Sequence, residues 1–142
     1  MQLDKYFHER AGQDQRRNVA NCFVMVHSPN DEIVGFYTLS ASLQAFTDLP
    51  EHLSRRLPRY PNLPAILLGR LAVATEHQGK GYGRLLLMDA LQRAREATRH
   101  IAAFTVVVDA KDEAAIAFYE RLGFVRFSSS PNRLFFPIAS VP

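Results

Sequence analysis

The sequence holds a single cysteine, Cys22, in 142 residues. One cysteine excludes an internal disulfide and any zinc site built from several cysteines. Long apolar runs are also missing, because none approaches the ~20 residues that a helix needs to cross a bilayer. The polar start MQLDKYFHER is unlike a signal peptide, and no internal repeat or low-complexity linker is found. These absences predict a soluble, cytoplasmic protein with no membrane partner.

The composition suits one compact domain over residues 1–142. Hydrophobic residues make up 47% of the chain and charged residues 22%, which is close to the globular average and too apolar for a disordered chain. Arginine supplies 14 of the 17 basic residues, and its planar guanidinium suits phosphate. The net charge of +3 permits a polyanionic partner without requiring one.

Apolar periodicity and turn residues predict alternating helices and strands. Helices are expected over residues 3–11, 48–57, 84–99 and 112–122, and strands over 22–26, 33–39, 66–73, 101–109, 124–127 and 133–139. The helix over 84–99 is expected to bury Leu87, Ala90, Leu91 and Ala94. Asp112 is expected to cap the last helix, with Gly123 just past its end. This order predicts a mixed α/β fold.

A glycine-rich turn, QGKGYG from Gln78 to Gly83, joins the strand over 66–73 to the following helix. Such a turn can bind an anion, because glycine lets the backbone approach the ligand and the helix N-terminus offers unpaired N–H groups. Lys80 and Arg84 add positive charge. The spacing fits neither the Walker loop nor the dinucleotide G-x-G-x-x-G fingerprint. On this pattern alone, a purely structural tight turn is an equal alternative.

Two signatures in this order resemble those of the GNAT N-acetyltransferases. Leu71–Val73 followed by the glycine turn is similar to the family's Q/R-x-x-G-x-G/A signature, and the segment DEAAIAFYERLGF from Asp112 to Phe124 is similar to its second signature. The resemblance covers most of the chain. Through segments 35–41, 56–61, 67–73 and 133–137 it looks most like the toxin-type branch, bacterial enzymes that acetylate aminoacyl-tRNA.

The resemblance implies a mostly antiparallel sheet, splayed between the strands over 66–73 and 101–109, with helices on both faces. It also implies acetyl-CoA as the co-substrate and no metal. The strand end would follow the pantetheine arm, and the glycine turn would cradle the pyrophosphate. The residues implied in cofactor binding are Leu71, Ala72, Val73, Gln78, Gly79, Lys80, Gly81, Tyr82, Gly83, Arg84 and Asp112.

Tyr119 matches the position of the family's general acid, which protonates the departing CoA thiolate. A tyrosine with a pKa of ~10 is protonated at neutral pH. Helical spacing alone favours a buried aromatic role for Tyr119, and the motif match favours catalysis. No general base stands out, because Glu32, Glu76 and His77 are expected to be solvated turn residues. Model α-amino groups titrate near ~7.7–8.0, so water can accept the proton of an aminoacyl ester.

The predicted acceptor is an aminoacyl-tRNA, whose polyanion arginines would attract. Three groups are candidates, each with a solvated helix residue as the alternative: Arg16 and Arg17; Arg55, Arg56 and Arg59; Arg93, Arg95 and Arg99. Other hypotheses are acetylation of a small amine, polyamine or protein N-terminus, and a non-catalytic acetyl-CoA-binding sensor. The resemblance also implies a ribbon-helix-helix antitoxin as partner and a homodimer.

The chain departs from the family pattern in two places. It begins at Met1 almost inside the first family helix, so the first family strand is expected to be missing and the strand over 22–26 to form an edge. Asp112 stands where asparagine is common. A carboxylate can cap the helix but cannot donate an amide hydrogen bond to the cofactor arm.

Overall fold

The structure, a computed structural model, describes residues 16–27, 32–45, 48–55, 57 and 60–142. The described helices and strands follow the chain in this order: β1 (Asn21–His27), β2 (Glu32–Ala45), α1 (Glu51–Ser54), β3 (Asn62–Val73), α2 (Tyr82–Ala97), β4 (Thr105–Asp109), α3 (Glu113–Arg121), β5 (Val125–Arg126) and β6 (Arg133–Pro137). The helix predicted over 3–11 lies outside the described residues, as does the stretch before it where the first family strand is expected to be missing. No described helix is both long and apolar enough to cross a membrane.

The six described strands form one sheet in the order β1-β2-β3-β4-β6-β5. Strand β1 pairs antiparallel with β2, and β6 pairs antiparallel with both β4 and β5. The expected mixed α/β fold is confirmed. The splay between β3 and β4 and the placement of helices on both faces stay predictions.

One compact unit of the chain comprises Met1–Ser40 and Leu68–Arg93. Strands β2 and β3 approach helix α2 closely in this unit. A Cβ atom at Gly35 would lie 2.6 Å from the carbonyl oxygen of Ala72 and 2.7 Å from Cδ1 of Leu86, so only glycine fits there. The face predicted to be buried on α2 is buried: Leu87, Ala90, Leu91 and Ala94.

The second compact unit comprises Ala41–Leu67 and Ala94–Pro142. Its core cluster contains Leu49, Leu63, Ala65, Val107, Phe127 and Phe135. Helix α1 is a single turn, shorter than predicted, because the chain leaves the helix after Ser54 and Leu57 N–H donates to the Ser54 carbonyl at 3.4 Å. Leu53 and Leu57 nevertheless pack against the core cluster, as their spacing predicted.

Several predicted strand boundaries were wrong. Strand β3 begins at Asn62 rather than residue 66. Pro64 lacks an N–H, but its carbonyl accepts from the Phe104 N–H at 2.8 Å, so the strand can include the proline. Strand β4 begins at Thr105 rather than residue 101, since Ile101 is 78% exposed and its N–H donates to the Ala97 carbonyl at 3.2 Å. Strand β2 runs on to Ala45, β5 has two residues, and β6 ends at Pro137.

Candidate active site

The glycine turn connects β3 to α2 through backbone conformations that favour glycine. Gly79 has a φ of +80° and Gly81 a φ of +85°, both in the left-handed region. A Cβ atom at either position would meet nothing within 4 Å. The two glycines are therefore required by backbone angle, and the space beside them is open to a ligand.

The first turn of α2 completes an anion-binding geometry. The Leu85 N–H donates to the Gly81 carbonyl at 3.3 Å, so the N–H groups of Tyr82, Gly83 and Arg84 have no acceptor within the helix. This turn contains no acidic residue, and the side chains of Lys80 and Arg84 are exposed. Unpaired N–H groups, the helix dipole and two cations together favour a phosphate group here.

Gln78 has a structural contact that its motif did not indicate. Its side-chain amide donates to the carbonyl oxygen of Val73 at 3.1 Å and so ties the glycine turn to the end of β3. Along this strand end, Ala72 is buried, whereas Leu71 and Val73 are half-buried. The turn therefore has a fixed start relative to the strand predicted to follow the pantetheine arm.

Glu32, Glu76 and His77 lie together beside the glycine turn. The expectation that they are solvated turn residues is wrong for His77, whose side chain is only 12% exposed. His77 Nε2 is 3.2 Å from Glu32 Oε1, and one ligand atom from each of the three residues lies within 4.8 Å of the others. His77 also stacks on His27 and meets the edge of Tyr82. These contacts support the turn from the side of β1 and β2. The expected absence of a metal stays a prediction.

In the second unit, α3 carries Tyr119 in an aromatic environment. Tyr119 is 7% exposed, and its ring centroid lies 5.2 Å from that of Phe118 and 5.3 Å from that of Phe124. Burial raises the pKa of Tyr119 to about 12. The hydroxyl therefore stays protonated across the physiological range, as a hydrogen-bond or proton donor must.

The two ends of α3 follow the prediction. Asp112 Oδ1 accepts from the Ala115 N–H at 2.8 Å, which is a side-chain N-cap. Gly123, with a φ of +102°, lies just past the helix end. The Asp112 carboxylate is engaged in capping, and the predicted part of this residue in cofactor binding stays a prediction.

The arginine group on α2 takes part in contacts within the chain. Arg93 Nε donates to the Tyr37 hydroxyl at 3.0 Å, and its guanidinium lies 4.1 Å above the ring centroid of Phe23. The Tyr37 hydroxyl donates to Asp89. Burial and the bond to Asp89 raise the pKa of Tyr37 to about 12. Sequence spacing did not reveal this network, because its members come from three separate elements.

The other predicted arginines differ in their surroundings. Arg95 Nη1 donates to the Val141 carbonyl at 2.9 Å, and Arg99 pairs with Glu96 at 3.0 Å. Arg55 pairs with Glu51 at 2.5 Å, whereas Arg56 and Arg59 lie outside the described residues. Arg16 and Arg17 are exposed.

A sequence profile of the acetyltransferase (GNAT) family matches residues 2–124. The chain belongs to the GNAT acetyltransferase family. Two relatives place this N-acetyltransferase in the toxin-type branch. A tRNA-acetylating toxin of Mycobacterium tuberculosis is 35% identical over 93% of this chain and 77% of its own length. A probable toxin TacT of Sinorhizobium fredii is 29% identical over 99% of this chain and 82% of its own length.

Solved structures agree with this placement. AtaT complexed with acetyl-methionyl-tRNAfMet superposes with a TM-score of 0.91 at 28% identity, covering 98% of this chain and 83% of AtaT. AtaTR bound with acetyl-CoA gives a TM-score of 0.83 at 28% identity, over 98% and 82% of the two chains. A mutant of AtaT bound to the C-terminus of the antitoxin AtaR gives 0.81 at 26% identity, over 98% and 81%.

Proposed function

We propose that this enzyme transfers the acetyl group of acetyl-CoA to the α-amino group of an aminoacyl-tRNA and thereby blocks translation. The observation that carries the proposal is likeness along nearly the whole chain to a tRNA-acetylating toxin and to AtaT in complex with acetyl-methionyl-tRNAfMet. The glycine turn and Tyr119 supply the binding and chemical groups that such a transfer needs.

Acetyl-CoA would be held mainly by the backbone. The exposed turn with unpaired N–H groups and two cations suits the pyrophosphate, and the strand end at Leu71–Val73 would pair with the amides of the pantetheine arm. Asp112 would contribute through its backbone at the start of α3, because its carboxylate is engaged in capping. The residues proposed to bind acetyl-CoA are Leu71, Ala72, Val73, Gln78, Gly79, Lys80, Gly81, Tyr82, Gly83, Arg84 and Asp112.

Transfer would proceed by direct attack on the thioester. The neutral α-amino nitrogen forms a bond to the carbonyl carbon, the C–S bond breaks, and CoA leaves as a thiolate. A free thiol has a pKa of about 8.5, well below the value of about 12 for Tyr119. The Tyr119 hydroxyl therefore stabilises the departing sulfur by donating a hydrogen bond. Water takes the proton that the nitrogen loses, and the thiolate regains one from solvent, so the products are N-acetyl-aminoacyl-tRNA and CoA.

The acceptor explains why no strong base is needed. Model α-amino groups titrate near about 7.7–8.0, against about 10.4 for lysine. At neutral pH a usable fraction of the aminoacyl group is therefore already neutral. A lysine or polyamine acceptor would instead need a base to remove its proton.

Binding of tRNA would rest on electrostatic attraction to its phosphates. Arg93 and Arg95 are engaged within the chain, so Arg16 and Arg17 are the stronger candidates for phosphate contacts. Acetylation of charged tRNA should fall steeply as salt rises. A flat response between low and physiological salt would contradict this electrostatic mode.

The remaining expectations belong to the same proposal. The chain would act in the cytoplasm as one functional domain over residues 1–142, without a metal. An antitoxin would bind and restrain it, as AtaR binds AtaT. Dimerisation of the chain is a further expectation, to be tested by its mass in solution.

The deciding experiment is transfer of radiolabelled acetyl from acetyl-CoA to a pool of charged tRNAs. Deacylated tRNA and spermidine are the comparison acceptors. Label on charged tRNA alone supports the proposal, and sorting by tRNA identity then gives the specificity. Label on spermidine would replace the proposal with a small-amine enzyme. Binding of acetyl-CoA without transfer to any acceptor would point to a sensor.

A further inference from the structure

Arg133, the first residue of strand β6, forms an ion pair with Asp109, the last residue of β4. Arg133 pairs directly opposite Asp109 in the strand register. Its Nε and Nη2 atoms donate to the two carboxylate oxygens of Asp109 at 2.7 and 2.8 Å. One residue further along, the Ala110 N–H donates to the Asn132 carbonyl at 2.8 Å. The end of β4 is thus held by a two-point ionic bond and by the backbone.

A third contact fixes the same guanidinium from another side. Arg133 Nη1 donates to Gln44 Oε1 at 3.2 Å, and the Gln44 amide donates to Asp48 Oδ2, also at 3.2 Å. Gln44 is only 3% exposed, and Asp48 Oδ1 accepts from the Ser129 hydroxyl at 2.5 Å. The end of β2 therefore contacts Arg133 directly, and the segment at Asp48 and the loop before β6 are joined to it through Gln44. An arginine in such a network has little freedom to change rotamer.

Helix α3 begins shortly after Asp109, the residue that Arg133 binds. Asp112, the N-cap of α3, follows Asp109 by three residues, so the position of Asp109 limits where the helix can start. At the other helix end, a Cβ atom on Gly123 would lie 3.0 Å from the ring of Phe136 on β6. The end of the helix that carries Tyr119 thus lies against β6, and the residues just before its start, Asp109 and Ala110, are bonded to Arg133 and Asn132.

The Tyr119 ring is linked to the same strand by aromatic packing. Its centroid is 5.3 Å from that of Phe124, and the Phe124 centroid is 5.3 Å from that of Phe136. The aromatic packing connects the Tyr119 ring to β6 near the C-terminal end of the helix. The ion pair between Arg133 and Asp109 lies just before the N-terminal end of the helix. A shift at Asp109 would change where α3 starts and so the angle at which the helix brings Tyr119 into this packing.

We propose that Arg133 is a positioning residue that sets the Tyr119 hydroxyl through Asp109 and the start of α3. The inference rests on the proposed role of Tyr119 as donor to the leaving thiolate. Misplacing a reacting group by about 1 Å can cost up to about 100-fold in rate. We expect Arg133→Gln to lower kcat about tenfold. The KM for acetyl-CoA should rise by a smaller factor, because Asp112 at the start of α3 is only one of the residues proposed to bind it.

Arg133→Lys and Arg126→Gln are the comparison variants. Lysine keeps the charge but not the planar fork, so Arg133→Lys should recover only part of kcat. Arg126 on β5 pairs at 3.0 Å with Glu120 on α3, the helix that carries Tyr119, and both side chains are 42% exposed. Arg126→Gln removes an arginine contact to α3 away from the helix start, so kcat should stay unchanged. Thermal unfolding of each variant establishes that it is folded at the assay temperature.

The decisive test combines Arg133→Gln with Tyr119→Phe. If Arg133 acts through the Tyr119 hydroxyl, Arg133→Gln should slow the wild type about tenfold but the Tyr119→Phe enzyme less than about twofold. An equal slowing in both backgrounds would overturn the inference and assign Arg133 to stability alone. Arg133→Lys undergoes the same test if the glutamine variant does not fold. If Tyr119→Phe itself leaves kcat unchanged, the proposed role of Tyr119 fails first, and this inference fails with it.

Discussion

The glycine turn, proposed to bind acetyl-CoA, and the helix that carries Tyr119, the proposed donor, are built in opposite ways. The turn is exposed, has two glycines with left-handed backbone angles, and would bind through backbone N–H groups. Tyr119 is buried, lies on a capped helix between aromatic rings and would act through one hydroxyl. If both proposals hold, binding should tolerate changes of side chain on a fixed backbone, whereas transfer should depend on one side-chain atom.

The largest effect should come from Tyr119→Phe. The ring and its packing remain, so the fold and acetyl-CoA binding should be kept, while kcat falls by about 100-fold or more through loss of the donor. Turnover at saturating substrate and calorimetric binding of acetyl-CoA measure the two quantities. Unchanged turnover would remove Tyr119 from the chemistry and the contrast between the regions with it.

The same buried hydroxyl should make the protein sensitive to alkali. Because the folded pKa is about 12 and the unfolded pKa is about 10, the folded state keeps a proton that the unfolded chain loses. This contribution to the free energy of unfolding is fully present below about pH 10 and is lost as the pH rises towards about 12. The total loss is about 2–3 kcal/mol.

Urea unfolding at pH 8 and pH 11 measures this loss in the wild type and in Tyr119→Phe. The phenylalanine variant should lose less stability over this interval, while Tyr37 contributes equally to both proteins. An identical loss in the two proteins would show that burial of Tyr119 has no such effect.

Two glycine substitutions, one in each region, should change different quantities: the KM for acetyl-CoA and the free energy of unfolding. Gly81→Ala places a side chain at a φ of +85°, which costs about 1–2 kcal/mol and should raise the KM for acetyl-CoA about tenfold. Gly123→Ala meets a similar backbone penalty at +102° and a contact with Phe136. It should lower the free energy of unfolding and leave that KM unchanged.

Acetyl-pantetheine is the control donor for the glycine variants because it lacks the pyrophosphate. The KM for acetyl-pantetheine should be the same in Gly81→Ala and in the wild type. If Gly81→Ala weakens both donors equally, the turn does not bind the pyrophosphate.

The smallest effect should come from the two cations beside the turn. Lys80 and Arg84 are exposed, so Lys80→Gln or Arg84→Gln should raise the KM for acetyl-CoA only about threefold, and less at high salt. Lys111→Gln, at an exposed position in the other unit, is the matched control and should have no effect. An increase as large as that of Gly81→Ala would mean that side chains, not the backbone, hold the pyrophosphate.

Local patterns predicted the features that depend on local geometry. The glycine turn, the Asp112 cap, Gly123 and the buried face of α2 follow from short-range spacing, and the structure places each of them as expected. The GNAT family was accessible because its two signatures are short and ordered. The mixed fold followed from the order of the elements, although strand boundaries were wrong where a proline accepts a hydrogen bond or a helix end continues as a turn.

Contacts between distant residues were not accessible in this way. Arg133 is 24 residues from Asp109 and 89 from Gln44, and Arg93 is 56 from Tyr37. In the sequence these arginines look like any other basic residue on a helix or strand. Only the tertiary arrangement separates arginines that support the fold from those free to meet a polyanion.

The close approach at Gly35 has a consequence for genetic selections. If the enzyme arrests growth, surviving clones of a randomly mutated gene reveal every position that the activity needs. Any side chain at Gly35 would force β2 away from Ala72 and Leu86, so survivors should carry substitutions there as well as at Tyr119. Their protein would be scarce and unstable, whereas Tyr119 variants would accumulate to normal levels. Abundance on a blot therefore separates escape by misfolding from escape by lost chemistry.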